Sequence, residues 1–319
     1  MINQKYLLHH IGIQKLKRNF KLSYFMKKIL ITGGAGFIGT NLCKKLFKNN
    51  YKVYVIDNES NGNLKEIKKF IVKGYKTDFA SKLTLNKIKG IDVIIHLAAH
   101  TRVIDSIKNP KKNLNENIIK TFKLIDWALK NNVNYFINAS TGGAILGRAK
   151  PPINEEINPK PISPYGASKM AIEGYCHAFN EISKLKLCSL RFSNVYGPHS
   201  DLKDSVIALF FKKIIKGEDI HIYGTGKQSR DFLFIDDLVN GVLNSIKFRP
   251  TGVIQLASGK QTTLNEILRY MQKITKIKIE PKIKSKRLGE VEHVWCEIKK
   301  AKKLINFKIK NNLFTNLKY

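Results

Sequence analysis

Tyr165 and Lys169 stand four residues apart in the segment SPYGASK, a spacing that puts a phenol and an ammonium on one face of a helix. A neighbouring cation favours the charged form of a phenol, so the pair can supply a proton acceptor that works near neutral pH. Spacing alone does not single it out in so lysine-rich a chain, because Tyr24/Lys28 and Tyr223/Lys227 match it too. Context separates them. Tyr24 precedes the first strand and Tyr223 lies in a glycine turn, YGTGK. Tyr165 opens a helix behind Pro164, after a strand that ends in the hydroxyls of Ser140 and Thr141.

A second pattern with chemical content lies near the start. Lys28–Thr32 (KILIT) is continuously apolar, as in a strand buried on both faces. Gly33, Gly34, Ala35, Gly36, Phe37, Ile38 and Gly39 follow, and Leu42, Cys43, Leu46 and Phe47 then predict a helix over 40–49. Strand, glycine turn and helix together make a dinucleotide site. The glycines let the backbone turn tightly beside a pyrophosphate, and the helix N-terminus offers it free N–H groups. The next strand, Lys52–Asp57, ends in a carboxylate about 20 residues on, where it can hold the adenosine ribose hydroxyls. A carboxylate there repels a 2′-phosphate, and no arginine stands beside it. The cofactor is therefore expected to be NAD, whose nicotinium adds a second cation near Tyr165.

Further elements must position these groups. The pattern predicts strands over 93–99, 135–140 and 187–192 and helices over 110–131 and 164–183. Such alternation implies an α/β fold, a doubly wound parallel (Rossmann) sheet, with a smaller C-terminal α/β substrate lobe. Residues 26–190 are expected to form mainly the nucleotide-binding domain, with segments around 230–258 returning to it. Residues 191–319 would form mainly the lobe. Residues 1–25 contain no acid; they read as an extension before a start at Met26, with no part in the chemistry.

Lys and Arg number 57 against 24 Asp and Glu, a net charge of +33. A field of that sign attracts nucleic acid, acidic membranes and phosphorylated ligands. The cations are overwhelmingly lysine, are spread along the chain, and include few of the arginines that read base edges. A solvated surface explains them better than a nucleic-acid interface. No apolar run approaches the roughly 20 residues of a membrane helix. Cys43, Cys176, Cys188 and Cys296 are scattered, with no metal-ligand or disulfide spacing. They suggest buried thiols in a reducing cytoplasm and no metal site.

From about Met26 to about Leu304 the chain resembles the extended short-chain dehydrogenase/reductase superfamily, and within it the NAD-dependent nucleotide-sugar epimerase/dehydratase family. TGGAGFIG, VIDNESNG, HLAA, NENIIKT, NASTGGAILG, SPYGASK, LRFSNVYGP and SRDFLFIDDL carry the likeness, which is greatest to UDP-glucose 4-epimerases. The resemblance implies that Gly33, Gly36, Phe37, Ile38 and Gly39 hold the pyrophosphate. Asp57, Asn58 and Asn61 would lie at the ribose, and Asp78 and Phe79 beside the adenine. Leu97, Ala98, Ala99 and Asn117 would line the cofactor trough, and Lys169 would bond the nicotinamide ribose. On the sugar-nucleotide side it implies Ser140, Asn194, Ser205, Val206, Arg230, Arg287 and Val294. For Arg230 and Arg287 a surface ion pair is the alternative. The catalytic set would be Thr141, Tyr165 and Lys169. Many relatives carry a serine where Gly142 stands, so the strand-end hydroxyl falls to Thr141. A homodimer built from helices 110–131 and 164–183 is also implied, with Ile118, Phe122, Ile125, Met170 and Ala171 as candidates for core or interface.

The fold alone does not choose the reaction. Dehydratases resemble one another in an Asp-Glu pair after the strand-end hydroxyl, and nucleotide-sugar decarboxylases in a glutamate. Here Gly142 and Gly143 occupy those places. That implies oxidation at C4 of a UDP-hexose and return of the hydride, an epimerisation with Tyr165 as the base. Alternatives are a dehydrogenase, reductase or dehydratase of the same family, or a nucleic-acid-binding relative. Val294 falls where some 4-epimerases place a tyrosine beside C2 of the sugar. A smaller side chain there would admit an N-acetylated sugar, although a one-residue slip would put His293 or Trp295 in its place.

Overall fold

A computed structural model of the chain describes residues 27–202, 205–285 and 291–317. The predicted extension 1–25 and Arg287 lie outside them. In chain order the strands are β1 (Lys28–Thr32), β2 (Lys52–Asp57), β3 (Lys73–Lys76), β4 (Val93–His96), β5 (Tyr135–Thr141), β6 (Lys186–Phe192) and β7 (Asn194–Tyr196). Next come β8 (His221–Tyr223), β9 (Ser229–Arg230), β10 (Phe232–Phe234), β11 (Gly252–Leu256), β12 (Thr262–Thr263) and β13 (Lys282–Lys284). Among the described residues, seven parallel strands form the main sheet in the order β11-β6-β5-β4-β1-β2-β3. The chain winds outward one way from β1 and the other way from β4. Ligands of doubly wound sheets bind at that reversal, beyond the carboxyl ends of the strands.

The continuously apolar strands result from burial on both faces. Ile29, Ile31, Val53, Val55, Val93, Ile95, Cys188 and Leu190 point to one side. There they pack on Leu42, Cys43 and Leu46 of the Phe37–Lys48 helix and on Leu238, Val242 and Ile246 of the Ile235–Phe248 helix. Leu30, Ile56, Ile94, Phe136 and Leu187 point to the other side. That side is covered by Leu124, Ile125 and Ala128 of the Lys120–Lys130 helix and by Ile172 and Cys176 of the Pro164–Ile182 helix. All four cysteines are buried and unpaired. Among the described residues no helix is long and apolar enough to cross a membrane.

Boundaries differ from expectation where tertiary contacts intervene. The helix expected over 40–49 begins at Phe37, directly out of the glycine turn. The strand expected over 93–99 stops at His96, because the N–H groups of Leu97 and Ala98 both turn to donate to the Thr32 carbonyl at 3.0 Å. The helix expected over 110–131 is continuous but widens to five-residue turns at Asn115–Ile119, between Pro110–Leu114 and Lys120–Lys130. Such widenings recur at functional sites, and this one carries Asn117. Small sheets, β7 with β10, β8 with β13 and β9 with β12, build the C-terminal side.

Candidate active site

Gly33 sits at φ +73°, a conformation that favours glycine, and a Cβ there would lie 2.7 Å from the Ala98 nitrogen. A Cβ on Gly39 would lie 2.4 Å from the Gly33 carbonyl oxygen. The turn therefore closes tightly on the start of the Phe37–Lys48 helix. That helix has no side-chain cap and no acid in its first turn, so its first N–H groups remain available to an anion. Asp57 is buried at the end of β2, and its carboxylate accepts the N–H groups of Ala35 (2.9 Å) and Glu59 (2.7 Å). It fixes the glycine turn and still has lone pairs for ribose hydroxyls. Uncapped helix, tight glycine turn and buried carboxylate are the set that a dinucleotide requires, so the residues present fit NAD.

Around this cradle the expected residues fall into two groups. Asn58 and Asn61 are exposed in the loop after β2, where Asn58 Oδ1 accepts the Ser60 N–H and Asn61 Nδ2 donates to Ser60 Oγ. Leu97, Ala98 and Ala99 are half-buried beyond β4. Asp78 binds the Lys120 ammonium at 2.6 Å. Phe37 and Phe79 are turned inward: Phe37 joins the core, and the Phe79 ring packs 4.9 Å from the buried His96 ring. Asn117 accepts the His100 N–H (2.8 Å) and donates to the His100 carbonyl (3.0 Å) and to Ser168 Oγ (3.3 Å).

Ser163 caps the Pro164–Ile182 helix by accepting the Gly166 N–H. Close packing at Gly166, where a Cβ would be 2.2 Å from the Ala144 carbonyl, brings the first turn of this helix against Gly142–Leu146. Thr141 ends β5 and leads into that short helix. Lys169 is buried, and its Nζ donates to the Ala139 carbonyl at 2.7 Å, two residues before Thr141. Thr141, Tyr165 and Lys169 thus belong to one helix–strand contact. The expected fall in the Tyr165 pKa is not produced by the chain's own residues. Burial dominates and pushes the phenol up to about 12. Burial likewise pulls Lys169 down to about 8, and the carboxylate of Glu173 opposes that fall.

Beneath these residues runs a buried polar layer that no sequence motif signals. His96 lies between Thr32 Oγ1 (2.6 Å) and Thr121 Oγ1 (2.9 Å), and burial drives its imidazole down to about 3, so it is neutral. Asn138 donates to Ser189 Oγ at 3.0 Å. Glu173 takes Arg191 Nη2 at 2.7 Å and Nε at 2.9 Å. Ser140, expected on the substrate side, is buried with its hydroxyl donating to Glu173 at 2.6 Å. Gln255 is fully buried and donates to the Arg191 carbonyl. A Cβ on Gly142 would meet its carboxamide at 2.6 Å, so Gln255 occupies the space a side chain at 142 would need. The only signal for Glu173 in the sequence is its place four residues past Lys169, on the same helical face.

Of the residues expected on the sugar-nucleotide side, Asn194 is exposed at the start of β7 and its N–H donates to the Asp231 carbonyl at 3.0 Å. Arg230 on β9 donates to the carbonyls of Ser229 (2.8 Å) and Glu292 (3.1 Å). Val294 donates its N–H to the Ser229 carbonyl, and its side chain stands 3.4 Å from where a Gly143 Cβ would be. The segments of Asn194, Arg230 and Val294 therefore meet beside the glycines next to Thr141. Asp231 locks that junction by accepting the N–H groups of Ser258 (2.7 Å), Gly259 (2.9 Å) and Cys296 (3.3 Å). Ser205 caps the Val206–Lys216 helix, with Val206 as its first residue. Among the described residues no cluster of His, Cys, Asp and Glu could hold a metal ion.

Residues 29–257 match the model of the NAD dependent epimerase/dehydratase family, and the chain belongs to that family. It is 34% identical to a putative UDP-glucose 4-epimerase of Methanocaldococcus jannaschii, over 86% of this chain and 92% of the relative. Its structure is similar to that of Thermotoga maritima UDP-glucose 4-epimerase solved with UDP-glucose. The TM-score is 0.87 at 34% identity, covering 91% of this chain and 96% of the other. It is also similar to the Methanobrevibacter ruminantium UDP-N-acetylglucosamine 4-epimerase in complex with UDP-N-acetylmuramic acid. There the TM-score is 0.86 at 30% identity, covering 92% and 96%.

Proposed function

We propose that this chain is an NAD-dependent 4-epimerase of UDP-hexoses, glucose and galactose or their N-acetylated forms. The observation that carries this reading is the run of residues after Thr141. Gly142 lies against Gln255, Gly143 against Val294, and the run to Leu146 has no acid. That run therefore offers the strand-end hydroxyl no carboxyl group for eliminating water or directing decarboxylation. Tyr165 takes the proton of the 4-hydroxyl and returns it, Thr141 hydrogen-bonds the reacting oxygen, and Lys169 supplies the adjacent positive charge. Bound between the glycine turn and Asp57, NAD would supply reversible hydride acceptance at C4. Asn194 and Arg230 hold the sugar nucleotide through its diphosphate, which leaves the ring free to present either face of C4.

Incubation with UDP-glucose, UDP-N-acetylglucosamine and UDP-glucuronate, with chromatography of the products, tests the reading. The 4-epimer is expected to accumulate with no net change in NAD absorbance. A stoichiometric absorbance change would make the protein a dehydrogenase or reductase. Val294 bears on breadth: Val294→Tyr is expected to lower turnover of the N-acetylated sugar by about 10- to 100-fold relative to UDP-glucose. Equal turnover of both sugars in the variant would remove Val294 as the gate.

The same reading includes a homodimer. Phe122, Met170 and Tyr175 are exposed on helices Lys120–Lys130 and Pro164–Ile182, with Phe122 and Tyr175 rings 5.3 Å apart. An exposed aromatic cluster of this kind suits a self-complementary contact. Sedimentation at micromolar concentration should give twice the chain mass, and a monomer would count against it. The four buried, unpaired thiols suit a reducing compartment, the cytoplasm.

A further inference from the structure

Glu173 is 7% exposed and has no part in the proposed proton transfers. It lies one turn past Lys169 on the helix that carries Tyr165. Its Oε1 accepts the Ser140 hydroxyl (2.6 Å) and Arg191 Nε (2.9 Å), and its Oε2 accepts Arg191 Nη2 (2.7 Å). Lys169 Nζ donates to the Ala139 carbonyl at 2.7 Å. Successive turns of one helix thus grip successive residues of β5, and Thr141 is the next residue along that strand. A carboxylate so deep needs its cation, but Arg191 alone would satisfy the pairing; the third bond, to Ser140, ties the pair to the reactive end of the strand.

The geometry points to Glu173 as a positioning residue: its carboxylate sits one turn past Lys169 on the helix of Tyr165 and bonds Ser140 beside Thr141 on β5, and so orders these groups against one another. This inference rests on the epimerase reading. Among the described residues, the ionisable groups that act on Lys169 or feel its charge are Glu173 and Cys176 on its own helix and His96 on β4, which is neutral. Burial holds Cys176 up at about 12, so its thiol is neutral as well. Among the described residues the anion facing Lys169 is therefore Glu173, and it opposes the burial that pulls the amine down to about 8. Removing that negative charge makes the protonated amine less favourable, so Lys169 must lose its proton at lower pH.

The test labels the full-length chain with lysine enriched in ¹³C at Cε and tracks the Lys169 resonance, assigned as the signal missing in Lys169→Met. In Glu173→Gln the titration midpoint is expected to fall by about one pH unit or more. The alkaline limb of kcat on UDP-glucose should fall with it. Ser140→Ala keeps every charge; it should leave the midpoint in place while lowering kcat about tenfold, with KM for UDP-glucose unchanged. If Arg191 without its carboxylate prevents Glu173→Gln from folding, Glu173→Gln/Arg191→Met removes both charges and should still shift the midpoint down, though by less, because the lost carboxylate is the member of the pair on the Lys169 helix face. An unmoved midpoint overturns the inference, whether or not the wild type epimerises UDP-glucose. A shifted midpoint in a protein that epimerises none of the three sugars would instead leave the positioning role standing and remove the epimerase reading.

Discussion

Tyr165→Phe is expected to lower turnover by about 10²- to 10⁴-fold, the usual worth of a positioned general base, while the purified protein still carries NAD. That is about 3 to 5.5 kcal/mol of transition-state stabilisation, at 1.36 kcal/mol per factor of ten. The substitution removes one oxygen and little else. The Tyr165 N–H still donates to Ser106 Oγ at 3.2 Å, and the Tyr165 carbonyl still accepts from Ser168 at 2.8 Å. Lys169 keeps its bond to Ala139. Because burial raises the Tyr165 pKa to about 12, the hydroxyl is uncharged near neutral pH, and its loss removes no charge from the fold. Product chromatography and the absorbance of NAD released on denaturation report the two effects separately. Near-normal turnover in the variant would place the base elsewhere.

The parts of the site that motifs reveal are those made by residues close together in the chain. Gly33 to Gly39, Asp57 at the end of β2, and Tyr165 with Lys169 each belong to one strand–turn–helix or one helical face, so spacing carries them. The polar layer below them does not. Thr32, His96, Ser140, Arg191 and Gln255 come from five strands, and only the sheet order places them side by side. In the sequence His96 reads as the end of an apolar strand, and Gln255 gives no hint that it touches Gly142, 113 positions earlier. Burial is a property of the assembled fold as well. The pattern of charges around Tyr165 suggests a lowered pKa, and desolvation of the phenol, which no local spacing encodes, outweighs it. The wide turn at Asn115–Ile119 is hidden for a related reason. Its apolar periodicity is helical throughout, and the contacts of Asn117 with His100 and Ser168 accompany the extra residue per turn.

Two neighbouring glycines should fail in different ways when given a methyl group. In Gly39→Ala the new Cβ would sit 2.4 Å from the Gly33 oxygen and 2.5 Å from the Gly34 Cα. Both are backbone atoms, so the turn must open or the Phe37–Lys48 helix must shift. Overpacking of that kind costs about 1–3 kcal/mol. The variant should melt several degrees lower and also lose NAD, because the helix N-terminus no longer points where the pyrophosphate lies. Gly36 has an ordinary φ of −74°, and a Cβ there would meet nothing nearer than the Gly33 oxygen at 3.5 Å. Gly36→Ala should therefore fold, losing about 0.5–1 kcal/mol for alanine at a helix N-cap. Its methyl group points into the space that the pyrophosphate must enter, so NAD affinity should still drop by about tenfold or more, at 1.4 kcal/mol per tenfold. Thermal melts of the NAD-free proteins, set beside NAD titrations, separate the two cases. If Gly36→Ala binds NAD as the wild type does, the cradle does not approach the phosphates there. If Gly39→Ala melts as the wild type does, the turn is not closed as tightly as its backbone distances require.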